Sequence, residues 1–364
     1  MDQIDEFMRL ALRAASLCPA LTSPNPKVGC VIVKDDVVLG EGHTQPPGGN
    51  HAEIEALADA RRKGNDVRGA TAYVTLEPCS HFGRTPPCAD SLVEAGITKV
   101  VAPFTDPDPR VAGKGYARLR AAGIDVMDGV LAEEAREMNL GFLSRVERGR
   151  PWVRMKVAAS LDGKTALHNG LSQWITSGPA RDDGHAWRAR ADAVLTGIGT
   201  VKADNPQLTV RTIDVPRQPR RIVVDSRLAI SPDAKVLDGD GTWIFTATSD
   251  LAMADRLHQK GAEVIVAPSA GGKVDLGAMM QELGRREIND VHVEAGAVLN
   301  GALLSAGLVD ELLLYLAPSL LGDARGMFEL PSLETLDGKI ALRFHEVMQI
   351  GADLRILARL IHAK

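Results

Sequence analysis

Short apolar runs alternate with amphipathic segments along the whole sequence, and glycines close several of the amphipathic segments. The runs "VGCVIV" and "VVLGEG" flank turn residues 34–36, a pattern that predicts a β-hairpin. The segment "AEIEALADARRKG" has helical apolar spacing and a glycine stop at Gly64. This alternation predicts an α/β chain whose sheets are covered by helices.

The chain is too long for one hydrophobic core, since it has 364 residues and a mass of 38.9 kDa. A final helix is predicted over "LAEEAREMNLGFLSRVE", and the "RGRP" that follows is typical of a linker. The strand and helix alternation then resumes in a different order. We therefore expect two α/β domains, over residues 1–147 and 148–364.

Charge and composition narrow the class of function. The net charge is −5, and residues 1–147 hold 16 basic and 21 acidic side chains, whereas proteins that bind nucleic-acid backbones usually carry a basic excess. No apolar run approaches the roughly 18 residues of a membrane span, and the acidic N-terminus is unlike a signal peptide. Four cysteines are too few for a disulfide framework. We expect a cytoplasmic protein with small-molecule ligands and no nucleic-acid or membrane partner.

A histidine, two cysteines and a glutamate form a candidate metal site. His51 and Glu53 open the helical segment "HAEIEALADA", while Cys79 and Cys88 belong to "LEPCSHFGRTPPC". Three ligands of this kind, with a fourth position open for water, are typical of catalytic zinc. Zinc lowers the pKa of a bound water, and a nearby carboxylate can carry protons. We expect the predicted helix that begins at Cys88 to favour its thiolate.

Other interpretations of this cluster are open. A histidine and two cysteines can form a structural zinc site, although such sites more often have four protein ligands. His81 could compete as a ligand, but its position two residues after Cys79 favours a contact with substrate. Cys18 and Cys30 lie within apolar segments and are expected to be core residues.

The second half lacks the common dinucleotide-binding fingerprint. "TGIGTVKADNPQLTVR" begins like Gly-x-Gly, but Lys202 stands where the third glycine belongs. A better candidate is "VEAGAVLNGALL", in which a strand is predicted to end at Glu294 and a helix to start near Asn300. Gly296 and Gly301 would relieve crowding there, and the free N–H groups of the helix start suit a pyrophosphate.

His-x-Glu followed by Pro-Cys-x-x-Cys is the pattern of zinc nucleobase deaminases, but here eight residues separate the two cysteines. With that long loop, "PNPKVGCVIV", "HAEIEAL" and "TLEPCSHFGRTPPC" resemble the deaminase half of the bifunctional riboflavin-biosynthesis deaminase–reductases. "MKVAASLDGKTA", "SQWITS", "ADNPQLTVR", "VVDSRL" and "EAGAVLNGALL" resemble the reductase half. The resemblance implies a cytidine-deaminase-like three-layer α/β/α domain followed by a dihydrofolate-reductase-like α/β domain. It also implies Zn²⁺ and NADPH as cofactors and phosphorylated pyrimidine substrates. We expect a homo-oligomer.

The resemblance also implies roles for individual residues. It makes His51, Cys79 and Cys88 the zinc ligands, with Glu53 as proton carrier and Asn25, His81 and Arg84 as deaminase substrate contacts. The cofactor would be held by Ala158, Trp174, Thr200, Asp204, Ser226, Gly296, Ala297, Val298, Leu299, Asn300, Gly301 and Ala302. The reductase substrate would meet Lys156, Ser172, Arg188, Leu208, Arg211 and Glu294.

Several of these residues have simpler interpretations. Asn25 could have no role beyond completing a turn. Arg84 and Arg188 could be solvated, and Trp174 could be a core residue. Glu294 is harder to explain without a function, because a carboxylate at the end of an apolar strand is costly unless it has a partner. Lys156 is the candidate proton donor of the reduction.

Two other classes of protein fit parts of the pattern. A nucleic-acid-editing deaminase would share the zinc motif, but the negative first half disfavours it. A non-catalytic zinc module fused to a pyridine-nucleotide sensor would not need Glu53 beside an open three-ligand site.

Overall fold

The computed structural model describes residues 3–18, 22–80, 86–239 and 241–361. The chain divides into two compact units, Met1–Gly149 and Arg150–Lys364. His81 and Arg84, two of the expected deaminase substrate contacts, lie outside the described residues. No helix in the described ranges is long and apolar enough to cross a bilayer.

The first unit is built on one mixed sheet of five strands in the order β2-β1-β3-β4-β5. β1 is antiparallel to β2 and β3, whereas β3, β4 and β5 are parallel. In chain order its elements are α1 (Gln3–Ser16), β1 (Gly29–Lys34), β2 (Val37–His43), α2 (Ala52–Arg62), β3 (Thr71–Val74), α3 (Cys88–Glu94), β4 (Lys99–Val101), α4 (Lys114–Ala121), β5 (Asp125–Met127), α5 (Ala132–Met138) and α6 (Leu140–Arg148).

Alternation along β1 gives this sheet two buried faces. Cys30 and Ile32 belong to the core that includes residues of α2 and α3, while Val31 and Val33 belong to the core that includes residues of α1. Since successive side chains of a strand point to opposite faces, the unit has three layers, α/β/α. This confirms the expected deaminase-like architecture.

A glycine allows the helix α2 to lie directly on the sheet. A Cβ at Gly42 would come within 2.5 Å of the carbonyl oxygen of Ala52, the first residue of α2. Real Cβ atoms do not approach that closely, so only glycine permits this contact. The contact fixes the start of α2, where His51 and Glu53 are located.

The predicted last helix of this unit is two helices. α5 ends at Met138 and α6 starts at Leu140, and Asn139 between them has φ −125° and ψ 23°. Its side chain accepts a hydrogen bond from the backbone N–H of Lys27 (2.8 Å) and donates one to the Lys27 carbonyl (2.9 Å). This distant pairing interrupts the helix, and apolar spacing alone could not indicate it. The strand expected to end at Glu77 also ends earlier, at Val74.

The second unit is built on a sheet of nine strands in the order β11-β10-β9-β8-β12-β6-β13-β16-β15. The first seven strands in this order, which run from β11 at the edge to β13, are parallel to one another. β16 is antiparallel to β13, and β15 is antiparallel to β16. The elements are β6 (Trp152–Ser160), β7 (Lys164–Ala166), α7 (Gly178–Arg190), β8 (Ala193–Gly197), α8 (Ile198–Asp204), β9 (Arg220–Val224), β10 (Thr242–Thr246), α9 (Leu251–His258), β11 (Ala262–Val266), α10 (Leu276–Arg285), β12 (Asp290–Val293), α11 (Ala297–Ser305), β13 (Glu311–Ala317), β14 (Arg325–Gly326), β15 (Leu342–Ile350) and β16 (Asp353–Leu360).

The predicted cofactor loop differs from the structure in its helix start. β12 ends at Val293 and α11 begins at Ala297, whereas the sequence predicted a start near Asn300. The crowding expected at Gly301 is present, because a Cβ there would overlap the carbonyl oxygen of Glu329. Gly296 has no such neighbour, since its closest approach would be 3.8 Å from Thr200 Oγ1.

Candidate zinc and cofactor sites

His51, Cys79 and Cys88 come together in the first unit, with their ligand atoms all within 4.8 Å of one another. His51 Nδ1 lies 3.3 Å from Cys88 Sγ and 3.6 Å from Cys79 Sγ. Ordinary zinc–nitrogen and zinc–sulfur lengths in a tetrahedral site imply a separation of about 3.5 Å between such atoms. The three residues therefore fit a zinc ion.

Two helix starts bring these ligands together. His51 precedes α2 with an extended backbone (φ −78°, ψ 165°), and its side chain makes no capping hydrogen bond to the helix. Cys88 is the first residue of α3. Cys79 is tied to that helix by its carbonyl, which accepts the N–H of Ala89 at 3.1 Å.

The hydrogen bonds in this cluster favour the Cys79 thiolate. Its pKa is lowered to about 4, mainly by the Cys88 thiol that donates to it, with further help from His51 and the backbone of Cys88. Cys79 Sγ accepts the N–H of Cys88 at 3.3 Å. Cys79 raises the pKa of the Cys88 thiol, whereas the N–H at the start of α3 favours the thiolate of Cys79. The expected effect of that helix start on the Cys88 thiolate stays a prediction.

Glu53 lies in the first turn of α2 and is only 4% exposed. Burial raises the pKa of its carboxyl to about 7, and the negative charge of Cys79 adds to the effect. A carboxyl that titrates near neutrality can both take up and release a proton under physiological conditions. The arrangement can therefore supply a general acid–base beside a three-ligand metal position.

Asn25 is a half-buried turn residue. Its backbone N–H donates to the carbonyl of Thr22 at 2.8 Å, which matches the simpler interpretation of this residue. A contact of its side chain with substrate stays a prediction.

In the second unit, Arg188 and Glu294 form a two-pronged ion pair. Arg188 Nε lies 2.7 Å from Glu294 Oε1 and Nη2 lies 2.9 Å from Oε2, while Nη1 donates to the carbonyl of Thr209 at 2.6 Å. Only 11% of the Arg188 side chain is exposed, so the solvated interpretation of Arg188 was wrong. Burial alone would raise the pKa of Glu294, but Arg188 and Lys156 outweigh it and hold that pKa well below its usual value.

The expected substrate residues lie on two elements and three loops. Lys156 is on β6, and its Cε is 3.8 Å from the position of a Cβ at Gly184, on the same helix as Arg188. Leu208 is buried, whereas Arg211 is exposed and reaches Thr209 Oγ1 at 3.4 Å. Ser172 is half-buried in the loop before α7.

Several of the expected cofactor residues lie near the carboxyl ends of neighbouring parallel strands. α8 follows β8 and α11 follows β12, so both helices begin at the same edge of the sheet. Thr200 lies on α8, and its Oγ1 is 3.8 Å from the position of a Cβ at Gly296. This edge is where open α/β sheets bind nucleotides, with phosphates at helix starts. Of residues 296–302, Gly296 directly precedes α11 and the other six are the first residues of that helix.

The remaining cofactor candidates differ in their surroundings. Trp174 is 69% exposed, so the alternative that it is a core residue was wrong. The guanidinium carbon of Arg181 lies 4.5 Å from the centroid of its ring. Ser226 Oγ accepts the N–H of Val274 at 3.0 Å. Burial raises the pKa of Asp204, at the end of α8. Ala158 is half-buried on β6.

Two histidines near the Arg188–Glu294 pair were not predicted. His292 is 1% exposed, neither of its ring nitrogens has a hydrogen-bond partner within the described residues, and Nε2 lies 3.5 Å from Glu294 Oε1. Burial lowers the pKa of His292 to about 3, so the ring is neutral. His185 on α7 also has a buried, unpartnered Nδ1 among these residues. The signal for His292 was its position two residues before Glu294 near the end of an apolar strand, since residues two apart in extended chain point the same way.

Comparisons with known proteins match the two units of the chain to two different family models. The profile of the "RibD C-terminal domain" matches residues 151–356, and that of the "Cytidine and deoxycytidylate deaminase zinc-binding region" matches residues 1–103. The chain is 46% identical to the riboflavin biosynthesis protein RibD of Escherichia coli, covering 97% of this chain and 98% of that protein. It is 41% identical to RibD of Bacillus amyloliquefaciens, covering 97% and 95%.

Solved structures are similar along the full length. RibD of Acinetobacter baumannii superposes with a TM-score of 0.91 at 41% identity, covering 99% of both chains. A diaminohydroxyphosphoribosylaminopyrimidine deaminase/5-amino-6-(5-phosphoribosylamino)uracil reductase from Thermotoga maritima superposes with a TM-score of 0.89 at 33% identity, again covering 99% of both.

Fold and sites together define a zinc-dependent deaminase joined to an NADPH-dependent reductase with a dihydrofolate-reductase-like fold. The chain belongs to the RibD family of bifunctional riboflavin-biosynthesis enzymes.

Proposed function

We propose that residues 1–147 hydrolytically deaminate 2,5-diamino-6-ribosylamino-4(3H)-pyrimidinone 5′-phosphate. Residues 148–364 then reduce the ribosyl chain of 5-amino-6-(5-phosphoribosylamino)uracil to ribityl with NADPH. The observation that carries the first step is the convergence of His51, Cys79 and Cys88 beside the buried Glu53.

In the deaminase step, His51 Nδ1 and the two cysteine sulfurs would hold zinc, which supplies Lewis-acid activation of the attacking water when bound. Glu53 takes up a proton at its carboxylate and delivers it to the leaving amino group. Burial supports this role, because it raises the pKa of Glu53 to about 7. Asn25, His81 and Arg84 are the proposed contacts with the pyrimidine and its phosphate.

Glu53→Gln tests this assignment. The variant should keep zinc and lose ammonia release, while the oxidation of NADPH with the deaminated substrate continues at the wild-type rate. Glu55→Gln on the same helix is the matched control, because its amide oxygen can still accept the hydrogen bond from Asn50 (2.9 Å). Wild-type ammonia release by Glu53→Gln would refute the role of Glu53.

In the reductase step, the chain binds and aligns the two reactants, and NADPH supplies the hydride when bound. Arg188 keeps Glu294 ionised near the proposed reacting carbon, and Lys156 is the proposed proton donor. Ser172, Arg188, Leu208 and Arg211 would surround the phosphorylated ribose, since arginine and hydroxyl groups bind phosphate through charge-assisted hydrogen bonds. Residues 296–302 with Ala158, Trp174, Thr200, Asp204 and Ser226 would hold the cofactor.

Tryptophan fluorescence can test the cofactor site. Titration with NADP⁺ should quench emission in the wild type, and Trp174→Phe should lose most of that quenching because Trp174 is proposed to touch the cofactor. Trp243→Phe is the control, since Trp243 is 8% exposed in the core of the sheet. Equal quenching in the wild type and Trp174→Phe would contradict the placement of the cofactor.

We further propose that the enzyme is a homo-oligomer and is cytoplasmic. The strand β15 is the last of its sheet, and its apolar side chains Phe344 and Val347 are 70% and 54% exposed. Uncovered apolar edge strands invite pairing, and a second copy could cover this edge around a two-fold axis. Sedimentation should give an oligomer that Phe344→Lys dissociates; a monomeric wild type would contradict the proposal. The low cysteine count supports a reducing compartment.

A further inference from the structure

Glu77 lies two residues before the proposed zinc ligand Cys79 and is 4% exposed. Its carboxylate accepts four backbone N–H groups. Oε1 accepts from Gly115 (2.8 Å) and Tyr116 (3.2 Å), and Oε2 accepts from Asp106 (2.9 Å) and Gly113 (3.0 Å). Neither the proposed chemistry of the deaminase nor the family resemblance accounts for this group.

These four donors belong to one segment of the chain. Gly115 and Tyr116 are in the first turn of α4, where N–H groups have no partner within the helix. Asp106 and Gly113 lie in the loop that leads to that helix. The carboxylate therefore caps the start of α4 and ties the preceding loop to residue 77. Hydrogen bonds to an ionised acceptor are stronger than those to a neutral one.

The backbone of Pro78, the residue after Glu77, also packs directly against α4. A Cβ at Gly115 would overlap the carbonyl oxygen of Pro78, so the chain of Pro78 lies directly on the start of α4. On its other side, Cys79 is tied to α3 by the N–H groups of Ala89 and Cys88. Cys79 is thus held from two sides. Glu77, two residues earlier, is hydrogen-bonded to α4, and the carbonyl and sulfur of Cys79 itself are hydrogen-bonded to α3.

We propose that Glu77 is a positioning residue for the metal site, which holds Cys79 at ligand distance from His51 and slows the loss of zinc. This inference rests on the proposed zinc ligands. A glutamine at position 77 has one acceptor oxygen, and its NH₂ group would face two of the four N–H donors. Replacing partners outside the ligand shell typically weakens metal binding by about 10- to 100-fold.

The test is the rate of zinc transfer from the full-length enzyme to a chromogenic chelator. Glu77→Gln should release zinc at least about tenfold faster than the wild type, with a lower kcat for deamination and an unchanged KM. Gly115→Ala should do the same without a change of charge, because its methyl group displaces Pro78. Glu77→Asp should give an intermediate rate. Glu133→Gln, at an exposed position of α5, is the control and should match the wild type.

The outcomes separate this inference from the proposed function. Zinc release at the wild-type rate from every variant that folds would overturn the role of Glu77 while leaving the ligand set intact. Failure of Glu77→Gln, Glu77→Asp and Gly115→Ala alike to fold would also overturn it, because Glu77 would then serve stability rather than ligand placement. A wild type without zinc, or zinc that persists in Cys79→Ser, would instead refute the ligand assignment.

Discussion

Replacing Arg188 by methionine would leave Glu294 as a buried carboxylate without its two-pronged partner. The two hydrogen bonds are 2.7 and 2.9 Å long, and the side chains are 11% and 16% exposed. Removing one member of such a pair costs about 3–5 kcal/mol, whereas replacing both by apolar groups is often close to neutral. Arg188→Met should therefore lower the free energy of unfolding by about 3 kcal/mol or more, and Arg188→Met/Glu294→Leu should recover most of that loss.

Intrinsic fluorescence can follow this unfolding selectively. The four tryptophans of the chain are Trp152, Trp174, Trp187 and Trp243, and all belong to the second unit. Urea denaturation of the full-length enzyme, followed by tryptophan emission, therefore reports on the unit that contains Arg188. A single variant within about 1 kcal/mol of the wild type, or a double variant as unstable as the sum of both single variants, would refute this reasoning.

The loss of stability in Arg188→Met should depend on pH, because the pKa of Glu294 depends on its pairing with Arg188. In the wild type the pKa of Glu294 is depressed, so its contribution to stability is present above the unfolded pKa and is lost as the pH falls. Without Arg188, burial raises that pKa, and the carboxyl of the variant protonates more readily. The stability gap between the wild type and Arg188→Met should therefore shrink as the pH is lowered from 7 to 5.

Three further perturbations have definite outcomes. Gly42→Ala places a methyl group 2.5 Å from the carbonyl of Ala52, so it should impair ammonia release but leave NADPH oxidation unchanged; equal loss of both would contradict this. Asn139→Ala removes both hydrogen bonds to Lys27 and should cost about 1–3 kcal/mol by calorimetry; an unchanged unfolding temperature would argue against the bonds. His292 has a pKa of about 3, below that of the unfolded state, so stability falls as pH drops below about 6.5. Between pH 7 and 5 the wild type should lose about 2 kcal/mol that His292→Leu does not lose, and equal slopes in urea denaturation would contradict the buried neutral histidine.

Features with local causes could be predicted from the sequence. The runs "VGCVIV" and "VVLGEG" predict a hairpin, and β1 and β2 form it as an antiparallel pair. His51 and Glu53 open a helix, Cys88 begins another, and a three-ligand zinc site requires such a set. Residue types therefore predicted the cluster, whereas the eight-residue gap between the two cysteines departs from the generic deaminase pattern and fits only through the family resemblance.

Features with distant causes could not be predicted. Asn139 breaks a helix because it pairs with Lys27, 112 residues earlier. The sequence predicts that Glu294 is costly without a partner, but nothing near it in the sequence identifies Arg188, 106 residues away, as that partner. Glu77 reads locally as the end of a strand, and its four donors become neighbours only when α4 packs. Such pairings depend on tertiary contacts that no local spacing encodes.

The central claim is that His51, Cys79 and Cys88 hold the zinc required for deamination. Elemental analysis of the purified full-length enzyme, beside Cys79→Ser/Cys88→Ser, tests it most directly. The account predicts about one zinc ion per chain in the wild type and almost none in the double variant. A fully active wild type without zinc, or an unchanged zinc content in the double variant, would contradict it.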